Sequence, residues 1–333
     1  MGIFDFFKAE KERFILCIDG GGMRGIIPVI VLERLEKYLR ELGCDKTLAS
    51  CFDLIAGTST GGLITLALTC PSTLKSKECS NGKQILLEEL EKRYTESGED
   101  VFPSPATDVL GIVKAVKYVA FNKYSNAGIE RLLKKWFSDS KMSDASVPAF
   151  VVTYDISRGH EYLVSSYGTG EFPVWEAGRA TSAAPTYYAP LEKVIDGKAR
   201  MLADGGVIAN NPSLYAYAEA KKLYPDCKKF HILSIGTAND VHTTQQGETN
   251  GLISWIDQVF PMYSTAQRRT VDYLMADAGL ADYVRIDALM DKPVKMDDTR
   301  PESIETMRQF GLVLADKYDK QLKEFAALLC KRK

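Results

Sequence analysis

Twice in its opening part this chain runs from an apolar stretch through a glycine-rich turn into apolar residues at helical spacing. The first pass is residues 14–18, then Asp19-Gly20-Gly21-Gly22-Met23-Arg24-Gly25, then Ile27, Ile30, Val31, Leu35, Tyr38 and Leu39. The second is residues 52–56, then Gly57-Thr58-Ser59-Thr60-Gly61-Gly62, then the helix-like residues 63–68. Pro28 suits a first helical turn, where its missing N–H would lack a partner anyway, and Gly43 suits the stop. Strand, turn and helix repeated in this way make a βαβα unit, whose right-handed crossovers lay helices over the faces of a parallel sheet. The expected fold class is therefore α/β, a three-layer α/β/α sandwich on a mainly parallel central sheet.

Further β-like runs at residues 149–156, 162–165, 201–203, 230–235 and 283–286 extend that sheet. Residues 72–144 hold no convincing strand and carry Lys-rich helices, so they read as a helical insertion. The stretches 237–250 and 289–300 have turn chemistry without the length of a linker. At about 150 residues per domain the length suggests roughly two domains. A single domain over residues 1–333, with the insertion inside it, accounts for the pattern better.

Composition removes several classes. The chain is 45% hydrophobic and 26% charged, with 25 Gly and 13 Pro, which excludes disordered and collagen-like sequences. Lys+Arg 42 against Asp+Glu 44 leaves a net charge of −2, without the basic footprint of a protein built to bind a nucleic-acid polymer. The seven cysteines, at 17, 44, 51, 70, 79, 227 and 330, are odd in number and include no C-x-x-C or zinc-like spacing. Reduced thiols, a cytoplasmic setting and no bound metal follow as expectations, with Cys17 a small buried hydrophobe. No stretch reaches the roughly 20 apolar residues of a membrane span, no secretory leader is visible, and Phe6 breaks the myristoylation pattern.

Gly57-Thr58-Ser59-Thr60-Gly61 matches G-x-S-x-G between a strand and a helix, the setting of a nucleophile elbow. Gly57 and Gly61 answer a steric need, because side chains beside so sharp a turn would strike the neighbouring backbone. The triple glycine has two readings. Gly20, Gly22 and Gly25 fit G-x-G-x-x-G with Asp45 about 20 residues on, as in a dinucleotide site. Yet Asp45 precedes the second strand instead of ending it. The other reading is an oxyanion hole, in which the N–H groups of Gly20, Gly21 and Gly22 point into a pocket at the positive end of a helix, with Arg24 adding charge nearby. A serine needs a base, and there are only three histidines: His160 in a turn, His231 in an apolar strand and His242 in a polar loop. The order Ser59, Asp204, His keeps a Ser-His-Asp triad open. Asp204 is itself a candidate base. It ends an apolar run before Gly205-Gly206, the carboxyl ends of parallel strands converge on one edge, and burial would raise its pKa from about 3.9 toward the working pH.

Together, Asp19-Gly20-Gly21-Gly22-Met23-Arg24-Gly25, Gly57-Thr58-Ser59-Thr60-Gly61-Gly62 and Asp204-Gly205-Gly206 resemble the motifs of the patatin-like phospholipases, in the same order. Similarity continues through Ala183-Ala184-Pro185 and Asn210-Asn211-Pro212 to Met296-Asp297-Asp298. The resemblance implies a Ser-Asp dyad with Ser59 as nucleophile and Asp204 as base, an oxyanion hole at Gly20, Gly21 and Gly22, no cofactor, and no essential histidine. It also implies a substrate at a phospholipid membrane surface, reached peripherally from the cytoplasm. Similar family members of this length include bacterial antiphage effectors that degrade membrane phospholipid when a cyclic oligonucleotide binds. For a member of that subgroup a cyclic oligonucleotide would be the activator, although no residue identifies a nucleotide site; a homo-oligomer is a separate candidate partner that no residue assigns. For membrane docking, Val109, Leu110, Ile112, Val113, Val116, Val119, Ala120 and Phe121, interrupted by Lys114, Lys117 and Lys123, and the N-terminal Phe4, Phe6 and Phe7 are the candidates.

Overall fold

The computed structural model describes residues 12–73, 76–79, 82–85, 87–102, 123–240 and 252–331. Phe4, Phe6, Phe7, the candidate docking stretch at 109–121 and His242 lie outside the described residues. Eight strands form one sheet: β1 (Glu12–Ile18), β2 (Leu54–Thr58), β3 (Ala149–Asp155), β4 (His160–Ser165), β5 (Leu191–Ile195), β6 (Lys198–Asp204), β7 (Lys229–Ile235) and β8 (Asp282–Ile286). The run β8-β7-β1-β2-β3 is parallel throughout. Strands β4 and β6 pair antiparallel with β3, and β5 pairs antiparallel with β6.

The apolar runs are continuous because both faces of the sheet are buried. Along β1, Phe14, Leu16 and Ile18 enter one core while Ile15 and Cys17 enter the other. The first core is roofed by α1 (Ile26–Glu41), α2 (Thr60–Thr69), α3 (Leu87–Val101), α4 (Asn126–Phe137), α5 (Val174–Thr181), α8 (Pro301–Lys317) and α9 (Asp319–Lys331). The second is covered by α6 (Ser213–Leu223) and α7 (Leu252–Asp277), which contribute Ala216, Ala220, Val271 and Met275. These are the three expected layers. Among the described residues, no helix is long and apolar enough to cross a membrane.

Three local expectations are corrected. The second strand spans 54–58 instead of 52–56, because Asp53 fastens its start to β1: the Phe14 N–H donates to Asp53 Oδ2 at 2.8 Å and the Asp53 N–H donates to Phe14 O at 2.7 Å. The strand therefore ends directly before Ser59. Residues 72–144 are not purely helical, since Ser76–Cys79 and Gly82–Ile85 pair antiparallel. Strand β5 was not expected at all. It turns into β6 through Asp196 and Gly197 at φ 51 and 72, the left-handed pair that tight hairpins favour.

Candidate active site

Ser59 stands between β2 and α2 with φ 54 and ψ −124, a strained conformation for a residue with a Cβ. The surroundings enforce it. A Cβ on Gly57 would strike Gly61 O, and one on Gly61 would strike Ile18 O, so the chain closes this turn only with glycine at both places. The Ser59 N–H donates to Thr181 Oγ1 at 3.0 Å, and the Thr181 hydroxyl donates onward to Val152 O at 2.6 Å. Thr181, at the end of α5, carries no sequence signal that would have pointed to this role.

Asp204 arrives by a route other than the expected one. It does not end a parallel strand; β6 runs antiparallel to β3. Val152 pairs with Thr58 on one side and Leu163 on the other, and Thr153 pairs with Tyr162 and Asp204. A residue has two ladder edges and β4 occupies one of them throughout, so β2 and β6 share the other, end to end. Where β2 turns away at Ser59, β6 takes its place with Asp204. The two side chains are thereby neighbours on one cleft, with Ser59 close enough to Asp204 to draw its pKa down.

Asp204 is 2% exposed. Burial pushes its pKa up to about 7, against the opposing effects of the nearby Ser59 side chain and of the Gly206 N–H, which donates to Oδ1 at 2.7 Å.

The glycine loop borders the same space. A Cβ on Gly20 would lie 2.6 Å from Asn210 Oδ1 and 3.1 Å from Ser59 Cβ. The Gly20 N–H, however, donates to Asn210 O at 3.1 Å, while its carbonyl accepts from Asn210 Nδ2 at 3.2 Å and Thr237 Oγ1 at 2.6 Å. The Met23 N–H donates to Met296 O at 2.7 Å. The loop N–H groups without a backbone partner among the described residues are those of Gly21 and Gly22. Gly20 thus shapes the loop, contrary to its expected place as a third donor. Arg24 is buried beside it.

Asp19, fully buried at the start of the loop, takes two bonds from Arg285, Nη1 to Oδ1 at 2.9 Å and Nη2 to Oδ2 at 2.6 Å. Burial nonetheless raises its pKa to about 6. Ser59, Asp204 and the loop line one cleft of about 950 Å³, counting its open mouth. Leu63, Val101, Phe102, Leu132 and Trp136 give it an apolar wall. Ser264 and Arg268, which sequence reasoning missed, line it as well.

The family model for patatin-like phospholipase matches residues 16–217, which include every residue of the elbow, the glycine loop and Asp204. Patatin-like protein 2 of Arabidopsis thaliana is 32% identical, covering 89% of this chain and 81% of that protein. The chain belongs to the patatin-like phospholipase family. Patatin-like protein 2 of Oryza sativa subsp. indica is 30% identical over 92% of this chain and 85% of its own length, and Patatin-17 of Solanum cardiophyllum is 27% identical over 98% and 92%. As a patatin-like phospholipase the chain is an enzyme of the lipid acyl hydrolase class.

Neither described histidine of this patatin-like protein reaches Ser59. His231 is level with Phe14, near the far end of the sheet, roughly 20 Å from the elbow along the strand direction. There its Nδ1 lies 2.8 Å from Asp282 Oδ2 and its Nε2 3.2 Å from Glu12 Oε2. His160 is exposed and donates from Nδ1 to Glu161 O at 2.6 Å. Among the described residues no cluster of three or more His, Cys, Asp or Glu is arranged to hold a metal ion.

Proposed function

We propose that this enzyme cleaves fatty acyl esters of membrane phospholipids through a Ser59-Asp204 dyad. One observation carries the reading: a carboxylate buried from water shares one cleft with a serine on a strained elbow. In the cycle, Asp204 takes the Ser59 proton as Oγ attacks the ester carbonyl. The oxyanion that forms faces the N–H groups of Gly21 and Gly22 and the N-terminus of α2, which starts at Thr60. Collapse of this intermediate expels the alcohol, which leaves with the proton from Asp204. Water, activated by the same carboxylate, then releases the fatty acid from the acyl-enzyme.

A fluorophosphonate tests the nucleophile. It should add covalently to the active enzyme, and the labelled peptide should contain Ser59; stoichiometric labelling at another serine would overturn the assignment. Histidines give a second check. A lost general base costs about 10²–10⁴-fold, so His160→Ala, His231→Ala and His242→Ala, corrected for folded protein, should each stay within about tenfold of wild type in ester release. A larger drop at any one of the three would restore the triad. The proposal extends to peripheral action on the membrane from the cytoplasm and to activation by a cyclic oligonucleotide. Vesicle hydrolysis with and without a panel of cyclic dinucleotides and trinucleotides tests that extension, and rates unchanged by every member would remove it.

A further inference from the structure

The cleft around Ser59 is chemically lopsided. Its apolar wall comes from the core under α3 and α4, through Val101, Phe102, Leu132 and Trp136. Helix α7, on the opposite face of the sheet, supplies Arg268. This arginine is 4% exposed. Its Nη1 donates to Ala238 O at 3.1 Å and its Nη2 to Thr265 Oγ1 at 3.2 Å, while Nε has no hydrogen-bond partner among the described residues. No carboxylate among the described residues forms an ion pair with it. Asp19 and Asp287, whose charges it feels, are both bonded to Arg285, and the charge of Arg24 works against it.

A buried cation left in this state is costly, and its desolvation is offset when an anion shares the site. The guanidinium fork suits phosphate oxygens. Its distance from the reaction is short in bonding steps. Gln267, the preceding residue, accepts the Asn210 N–H at 3.4 Å, and Asn210 brackets Gly20, which lies against Ser59. An apolar wall on one side of the serine and an unpaired cation on the other match a molecule whose acyl ester and anionic group are a few atoms apart.

We propose that Arg268 is a specificity-determining residue that binds the phosphodiester of a glycerophospholipid while its acyl ester lies against Ser59. This rests on the acyl-hydrolase reading above. Arg268 would make this enzyme prefer a phospholipid to a neutral glyceride of the same chain length.

The experiment compares kcat/KM on monomeric dihexanoylphosphatidylglycerol and dihexanoylglycerol. Arg268→Gln should lower the ratio of the two by roughly 10- to 100-fold, the effect of one lost hydrogen bond to a charged group, chiefly through KM on the phospholipid. Arg268→Lys keeps the charge without the fork, and should lower the ratio by a smaller factor, which keeps the comparison readable if the Gln variant fails to fold. Arg269→Gln, at the exposed neighbouring position, should keep the wild-type ratio. Glycerophosphoglycerol, the deacylated headgroup, should inhibit neutral-ester hydrolysis by wild type and lose about tenfold in potency with either Arg268 variant.

Equal proportional losses on both lipids would assign Arg268 a purely structural role and overturn the proposal. So would inhibition by inorganic phosphate alone with an unmoved lipid ratio, which would describe a free-phosphate site. If wild type hydrolyses neither lipid, the acyl-hydrolase reading falls first and this one with it. If it hydrolyses both and the ratio ignores Arg268, only this one falls.

Discussion

Asp204→Asn should be nearly inactive and, at pH 8, more stable than the wild type. The loss of rate follows from removing the proposed base, at about 10²–10⁴-fold in kcat/KM. The gain in stability follows from the sign of the pKa shift. In the unfolded chain this carboxyl titrates near its model value of 3.8, and in the folded protein at about 7. Below pH ~4 both states are protonated and the group contributes nothing. Between pH ~4 and ~7 the folded state holds a proton that the unfolded state has released, so stability declines as pH rises, and above pH ~7 the penalty is complete. At 1.36 kcal/mol per unit its upper size is on the order of 4 kcal/mol. Asparagine carries no such charge and its Oδ1 can still accept from Gly206.

Urea denaturation of both proteins across pH 4 to 8 tests this, expressed as a difference so that other buried acids such as Asp19 cancel. The advantage of the variant should grow from near zero to about 2–4 kcal/mol. A constant difference, or a variant weaker at pH 8, would mean that the carboxylate is not held at a cost. In parallel, wild-type kcat/KM should rise with pH up to about 7 and then level, because only the ionised carboxylate accepts the serine proton.

That same residue marks how far the sequence could be read. The elbow was legible because its demands are local: the glycines at 57 and 61 are needed by backbone atoms a few residues away or on the adjacent strand. The βαβα opening was legible because both faces of the sheet are buried and its strands read as apolar runs. Asp204 does lie beside Ser59, though not for the reason its sequence position suggests. Strand direction is a nonlocal property, and nothing in residues 198–204 reveals that β6 runs against β3 and fills the edge that β2 vacates. Thr181, Arg268 and Arg285 went unread for a related cause. A polar residue on a helix or an edge strand looks solvated until tertiary packing closes over it. Gly20 was assigned an N–H that Asn210, 190 residues away in sequence, already uses.

Arg285→Leu should produce the largest loss of stability of any single substitution near the site. The guanidinium reaches Asp19 through both Nη atoms, Asp287 Oδ2 at 2.9 Å and Ser234 Oγ at 2.8 Å, and its Nε lies 3.3 Å from Asp272 Oδ1. Asp19 is fully buried and takes both of its side-chain bonds from Arg285, so leucine would strand that carboxylate out of water. Breaking a buried pair from one side costs about 3–5 kcal/mol. The damage should also depend on pH. Arg285 is the main influence holding the Asp19 pKa down against burial, so its removal raises that pKa further above about 6. The variant can then neutralise Asp19 by protonating it in mild acid, and its deficit should shrink as pH falls from 8 to 5.

The double variant Asp19→Asn/Arg285→Leu separates charge from shape. If the stranded carboxylate is the cause, the second substitution should return a large part of the lost stability at pH 8. If the two losses simply add, Arg285 acts through packing alone. The consequence for the site is direct, because Asp19, Ser234 and Arg285 belong to the ends of three adjacent parallel strands, β1, β7 and β8. That cluster fixes the point from which the glycine loop departs toward Ser59. Ester release by the single variant should therefore fall even at temperatures where it remains folded, and activity that follows only the folded fraction would show that the loop holds its place without this anchor.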